Sequence, residues 1–142
     1  DDTVRYPASL RWTCVRCANS CRDLPGHMRS ILLTAHDTER IARATRRGAR
    51  EFSTALRSQF PYERKMKKLR GRCVFLNGST CSIYRARPLI CRFYPFFLRR
   101  SGKRALEIGF DPACSGIGTG TVRGEEFYRR LTRLAKIELP KE

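Results

Sequence analysis

Three stretches of the chain repeat apolar residues at helical spacing. After Pro25-Gly26, the run RSILLTAHDTERIARATRRG reads as a short apolar strand followed by a helix over about 35–47. Thr34 stands where an N-cap belongs, Asp37 matches the acid of a capping box, and Gly48 sits where a C-terminal glycine cap is expected. Ala35, Thr38, Ile41 and Ala42 share one face of that helix, which leaves Arg40, Arg43, Arg46, Arg47 and Arg50 largely outward. Phe52, Ala55, Leu56 and Gln59 recur at helical spacing and predict a second helix over about 50–59, closed by Phe60-Pro61. The third, RGEEFYRRLTRLAKI over about 123–137, is amphipathic, with Phe127, Leu131, Leu134 and Ala135 as its apolar stripe.

Shorter patterns fill the remainder. DDTVRYPASLRWT suggests a short strand or arm, and CVRCANSC a tight loop. CVFL suggests a strand turned by Asn77-Gly78, and Arg87-Pro88 opens a helical turn through Cys91. RFYPFFLRR and ALEIGF predict two strands joined at Ser101-Gly102. At 142 residues the chain suits one modest core. The expectation is a small single α+β domain over 1–142, with short strands and about three helices. No apolar run reaches membrane-spanning length, and the Asp1-Asp2 start is unlike a secretory leader, so a cytoplasmic protein is expected.

Charge adds a second feature. Thirty basic residues, 24 of them Arg, against 13 acidic ones give a formal net charge of +17. From Arg64 through Leu106 there is no acid at all, while 13 basic side chains crowd the same window. Forked guanidinium groups match phosphate oxygens, so the expected partner is RNA, with the ribosome as one candidate. The basic residues expected to meet phosphate are Arg43, Arg46, Arg47, Arg64, Lys65, Lys67, Lys68, Arg70, Arg72, Arg99, Arg100 and Arg104. The plainer alternative is a solvated surface in a chain with an arginine codon bias. Phe93, Tyr94, Phe96 and Phe97 could stack on bases, but core packing is the better reading for most of them.

The candidate chemistry lies in seven cysteines, at 14, 17, 21, 73, 81, 91 and 114. An odd number cannot pair fully within one chain, so metal ligation is favoured over disulfides. Cys14-x2-Cys17 can chelate one centre, Cys21 can add a third thiolate from the same loop, and a further ligand must come from the later cysteines. The later spacing, C-x7-C-x9-C, fits neither a two-pair zinc ribbon nor a clustered ferredoxin run. His27 and His36 lack ligand-like spacing and read as polar surface. Thiolates suit zinc and iron-sulfur clusters alike. No nucleophile, base and orienter set is recognisable, so an enzyme is the minority reading.

CVRCANSC, LLTAHDTERIA, GRCVFLNGSTCSIYRARPLICRFYPF and CSGIG, taken in order, resemble the CxxCxxCC cysteine-cluster family. These are YkgJ-type zinc- or iron-chelating proteins, a group that includes the flagellin lysine N-methylase. The resemblance covers about 14–118 and implies a metal-binding core there, with all seven cysteines on family cysteine positions. It also implies one missing ligand: the family's adjacent Cys-Cys pair is Ser20-Cys21 here, so a two-centre arrangement needs a replacement ligand or has an open position. The methylase branch implies an alternative function, for which GIGTG at 116–120 would be the candidate cofactor loop. An iron-sulfur redox role is a further alternative.

Overall fold

Twelve short strands and four helices succeed one another among residues 3–139, the part of the chain that this computed structural model describes. Strands β1 (Thr3–Arg5) and β2 (Arg11–Trp12) lead into a long loop whose regular part is a 3-10 turn at Asn19–Cys21. Next come β3 (Leu32–Thr34), α1 (Ala35–Thr45), α2 (Ala49–Phe52), β4 (Ser53–Gln59) and β5 (Tyr62–Met66). Four two-residue strands follow: β6 (Lys68–Leu69), β7 (Arg72–Cys73), β8 (Leu76–Asn77) and β9 (Thr80–Cys81). A 3-10 turn at Tyr84–Ala86 precedes α3 (Leu89–Phe93), β10 (Phe96–Gly102), β11 (Ala105–Phe110), β12 (Ile117–Val122) and α4 (Glu125–Glu138).

The strands form small sheets. One has the order β3-β5-β4, antiparallel throughout. The other three-stranded sheet is β1-β11-β10, in which β1 runs parallel to β11 and β10 pairs with β11 as an antiparallel hairpin. Antiparallel β2 and β12 form a separate ladder, and β6-β7 and β8-β9 are minimal hairpins. One apolar core gathers Ile31, Leu33, Ile41, Phe52, Met66, Phe75 and Ala86 around the first sheet. Others collect Phe96, Ile108 and Tyr128 with Trp12, and Leu89, Phe93 and Ala135. Among the described residues no helix is long and apolar enough to cross a membrane.

The mixed α+β class agrees with the pattern, but the helices number four, and several boundaries move. Thr34 and Asp37 do form a reciprocal capping box. Helix α1 ends two residues early because Arg46 itself adopts the left-handed conformation, with φ 57°. Gly48 is therefore not its C-terminal cap; it is the N-cap of α2, where its N–H donates to Glu51 Oε2 at 2.7 Å. The helix expected over 50–59 stops at Phe52. Residues 53–59 are instead a strand, since pairing with β5 (Ser53 with Met66, Thr54 with Lys65, Ala55 with Arg64) satisfies their backbone across the sheet. CVFL is split between β7 and β8 rather than forming one strand. In α4 the fully buried positions are Tyr128, Thr132 and Ala135, while Phe127, Leu131 and Leu134 are only partly covered, so the buried face is rotated from the expected stripe. Arg40 does not face outward: its guanidinium bonds Asp37 at 3.2 Å and the Arg87 carbonyl at 2.7 Å.

Candidate metal centre

The first cysteine loop is fastened by polar contacts to three later parts of the chain. Buried Asn19 donates through Nδ2 to the Ala113 carbonyl at 2.7 Å and to Ser115 Oγ at 3.4 Å. Thr13 N–H donates to the Gly116 carbonyl at 3.4 Å. These contacts lay the segment from Cys14 to Cys17 beside Cys114. Arg22 closes the loop from within, donating to the Cys17 carbonyl at 3.0 Å and to Asn19 Oδ1 at 3.1 Å.

Its far end is held elsewhere. Arg22 bridges Arg72, Asp23 N–H donates to the Gly71 carbonyl at 2.7 Å, and Lys68 pairs with Asp23. That ammonium, through its hydrogen bond, holds the Asp23 carboxyl below its usual range. Arg29 spans from the Ser20 carbonyl, 2.9 Å away, to the Ile90 carbonyl at 3.3 Å. The loop therefore meets the strand that carries Cys73 and the helix that carries Cys91.

All seven cysteines are free thiols, and all seven line one cavity of about 320 Å³. They arrive from five separate places in the sequence: the 14–21 loop, β7, β9, α3 and the turn before β12. Ile31, Met66, Trp12 and Tyr94 complete its wall, with Arg16, Arg87 and the exposed Tyr84 among the lining residues. Arg87 stacks over the Tyr84 ring at 3.7 Å.

Burial pushes the Cys73 thiol up to about 11 and the Cys91 thiol up to about 12, with neighbouring thiols adding to both. Burial also raises Cys81 and Cys114. For Cys17 burial acts upward too, but the Asn19 and Ser115 backbone N–H groups, the Ser115 hydroxyl and the Cys114 thiol together outweigh it and bring the pKa down. Two donors on the cavity wall, Trp12 Nε1 and the Tyr94 hydroxyl, are buried without a hydrogen-bond partner. The indole N–H favours the Cys114 thiolate without making a regular hydrogen bond to it.

Among the described residues no three His, Cys, Asp or Glu side chains are drawn tightly enough together to enclose a lone ion. The donor set nevertheless fits a thiophilic metal or cluster. It offers several soft ligands, a space among them, and N–H and O–H groups ready to meet sulfur charge.

The two histidines each lie beside a carboxylate, His27 Nε2 at 3.0 Å from Asp111 and His36 Nδ1 at 3.4 Å from Glu138, and neither lines the cavity. Of the basic residues expected to meet phosphate, Arg64 and Lys68 are half-buried and committed to internal partners, Ser53 for the former and Asp23 with the Arg29 carbonyl for the latter. Arg43, Arg46, Arg47, Lys65, Lys67, Arg70, Arg72, Arg99, Arg100 and Arg104 are exposed. Several of these have partners of their own: Arg43 pairs with Glu39 and Arg99 with Glu107, and Arg72 donates to the Gly78 carbonyl. Phe93 and Phe96 are buried in the core, Tyr94 faces the cavity, and Phe97 is exposed.

GIGTG does not form a loop between strand and helix: residues 117–120 lie in strand β12, which pairs with β2, and a β-carbon on Gly116, just before β12, would collide with the Thr13 carbonyl. Sequence reasoning missed Asn19, Trp12 and Arg29, and read Tyr94 as core packing or a base-stacking ring. Asn19 had a legible signal in its place between two cysteines; Trp12 and Arg29 had none.

No solved structure matches the chain significantly. An uncharacterized protein of Methanocaldococcus jannaschii is 30% identical, over 91% of this chain and 70% of its own length. The profile of the family named CxxCxxCC, described as a "putative zinc- or iron-chelating domain", matches residues 13–115. With a tight loop of thiols clasped to three later segments around one cavity, and with that match across most of its length, the chain belongs to the CxxCxxCC family.

Proposed function

We propose that this protein holds zinc or an iron-sulfur cluster through Cys14, Cys17, Cys21, Cys73, Cys81, Cys91 and Cys114, and that the bound metal ties its N-terminal loop to the later half of the chain. The observation that carries this reading is the convergence of seven unpaired thiols on one cavity. Neutral thiols pack as small apolar groups, and ligation replaces their S–H bonds with metal–sulfur bonds whose free energy adds to folding. Family membership supports the same chemistry.

Metal and sulfide analysis of anaerobically purified protein, with a visible spectrum, tests the reading. The expected result is stoichiometric zinc without colour, or iron with sulfide and a broad visible band. Protein that is folded yet holds no stoichiometric metal would overturn it.

A second reading, contact with RNA or the ribosome, is supported by the exposure of ten of the twelve basic residues singled out for it. Phosphate contacts by such side chains fix position with little base readout.

A further inference from the structure

We propose that the seven thiols divide into two unequal groups: a closed four-thiol site of Cys21, Cys73, Cys81 and Cys91, and an open three-thiol site of Cys14, Cys17 and Cys114 whose fourth position takes water or a small anion. This rests on the metal-binding reading above and goes further by assigning each ligand.

The division follows from what each cysteine is fastened to. Cys73 is a member of the core around Ile31 and Phe75, and Cys21 and Cys91 pack against that same core. Cys81 lies directly across a hairpin from Leu76, which packs there too. The Arg22–Arg72 bridge sets Cys21 beside Cys73, and Arg29 joins the residue before Cys21 to the residue before Cys91.

A different set of contacts holds the other three. Asn19 grips Ala113 and Ser115, the residues on either side of Cys114. Thr13, next to Cys14, bonds Gly116. Cys114 is buried in this group and Cys14 is exposed, so the site has a closed floor and an open side.

Ser20 continues the three-residue spacing of Cys14 and Cys17 and lines the same cavity, but its hydroxyl lies 3.6 Å from the Cys21 sulfur and so faces the other group. That leaves the three-thiol site one ligand short within the cavity wall. The orphaned donors stand beside it: Trp12 flanks Gly116, and Tyr94 is brought to the 111–114 turn by the hydrogen bond from Asp111 N–H to the Pro95 carbonyl, 2.8 Å. Two buried donors with no acceptor can bond an oxygen or anion held at that fourth position.

Cobalt(II) titration of the metal-free full chain, followed by visible absorption and native mass spectrometry, tests the division. Since no three of these thiols already stand at ligating distance among the described residues, each ion must draw its group together; two ions are expected, the tighter with a tetrathiolate spectrum. Cys14→Ser should abolish the weaker ion and leave that spectrum intact, whereas Cys81→Ser should remove it. Ser20→Cys should leave the weaker ion's spectrum and affinity unchanged, because that side chain faces the four-thiol group. Because Cys14 and Ser20 lie on the loop and not in the core, their variants keep the test available if Cys81→Ser does not fold. Failure to bind cobalt at all would overturn the metal reading itself. A single ion whose spectrum responds equally to Cys14→Ser and Cys81→Ser would leave that reading standing and overturn the division, as would a Ser20→Cys variant that gives the weaker ion a tetrathiolate spectrum.

Discussion

Asp37 shows how one side chain can link a helix start to a distant ligand. Its carboxylate, buried to 1% exposure, accepts from Thr34 N–H at 3.0 Å, Arg40 Nη2 at 3.2 Å and Leu89 N–H at 3.1 Å. The first bond belongs to the capping box and was legible from the three-residue spacing. The last crosses 52 positions to the start of α3, two residues before Cys91, and no local pattern reveals it. Asp37→Ala leaves the buried Leu89 N–H without its acceptor and removes the helix cap, while Arg40 keeps the Arg87 carbonyl, so the expected loss is about 2–4 kcal/mol. A urea midpoint measured on the metal-free chain would show it; a loss no greater than that of an ordinary surface cap, about 1 kcal/mol, would mean the bond to α3 contributes nothing.

At the scale of elements, the segments whose sequence carries its own boundary signals were readable, and those defined by pairing were not. Thr34 and Asp37 announce α1, and the apolar period of α4 announces that helix. By contrast Phe52, Leu56 and Gln59 mimic a helix in a segment whose backbone is satisfied by β5, a partner invisible to periodicity. GIGTG is a similar case: Gly116 and Gly120 of this run stand where Thr13, just after β2, leaves no room for a β-carbon. A β-carbon on Gly116 would meet the Thr13 carbonyl and stand 3.1 Å from Trp12 Nε1. Gly116→Ala must therefore push β2 from β12, at an expected cost of about 1–3 kcal/mol, and shift the segment from Thr13 to Cys17 away from Cys114. The measurable consequence is loss of the weaker cobalt ion with the tetrathiolate band retained. Gly124→Ser, at a position with nothing within 4 Å, should change neither. Equal cobalt binding in the two variants would show that the β2–β12 approach does not position the cysteines.

For the molecule as a whole, the sequence identified every thiol on the cavity but not their arrangement, because the contacts that gather them run between segments up to about a hundred residues apart, as Asn19 to Ser115 does with a separation of 96. The net charge of +17 was equally legible, whereas the places where its acids sit were not. Acids outside the acid-free window reach back into it: Asp23 pairs with Lys68, Glu107 with Arg99 and Glu138 with Arg92. The basic residues most available to a polyanion are then those near the end of α1 and along β5 to β7, including Arg46, Arg47, Lys65, Lys67 and Arg70, more than those of the β10–β11 hairpin, where Arg99 is already paired. Co-sedimentation with ribosomes should weaken by roughly 10³-fold or more between 50 and 200 mM salt if six or more phosphates are contacted. A Lys65→Gln, Lys67→Gln, Arg70→Gln variant should bind less tightly and with a shallower salt slope, because fewer counterions are released, while Arg99→Gln should change little. No association at low salt, or a slope that the triple substitution leaves unaltered, would remove the polyanion reading and leave the charge as a solvated surface around the cysteine cavity.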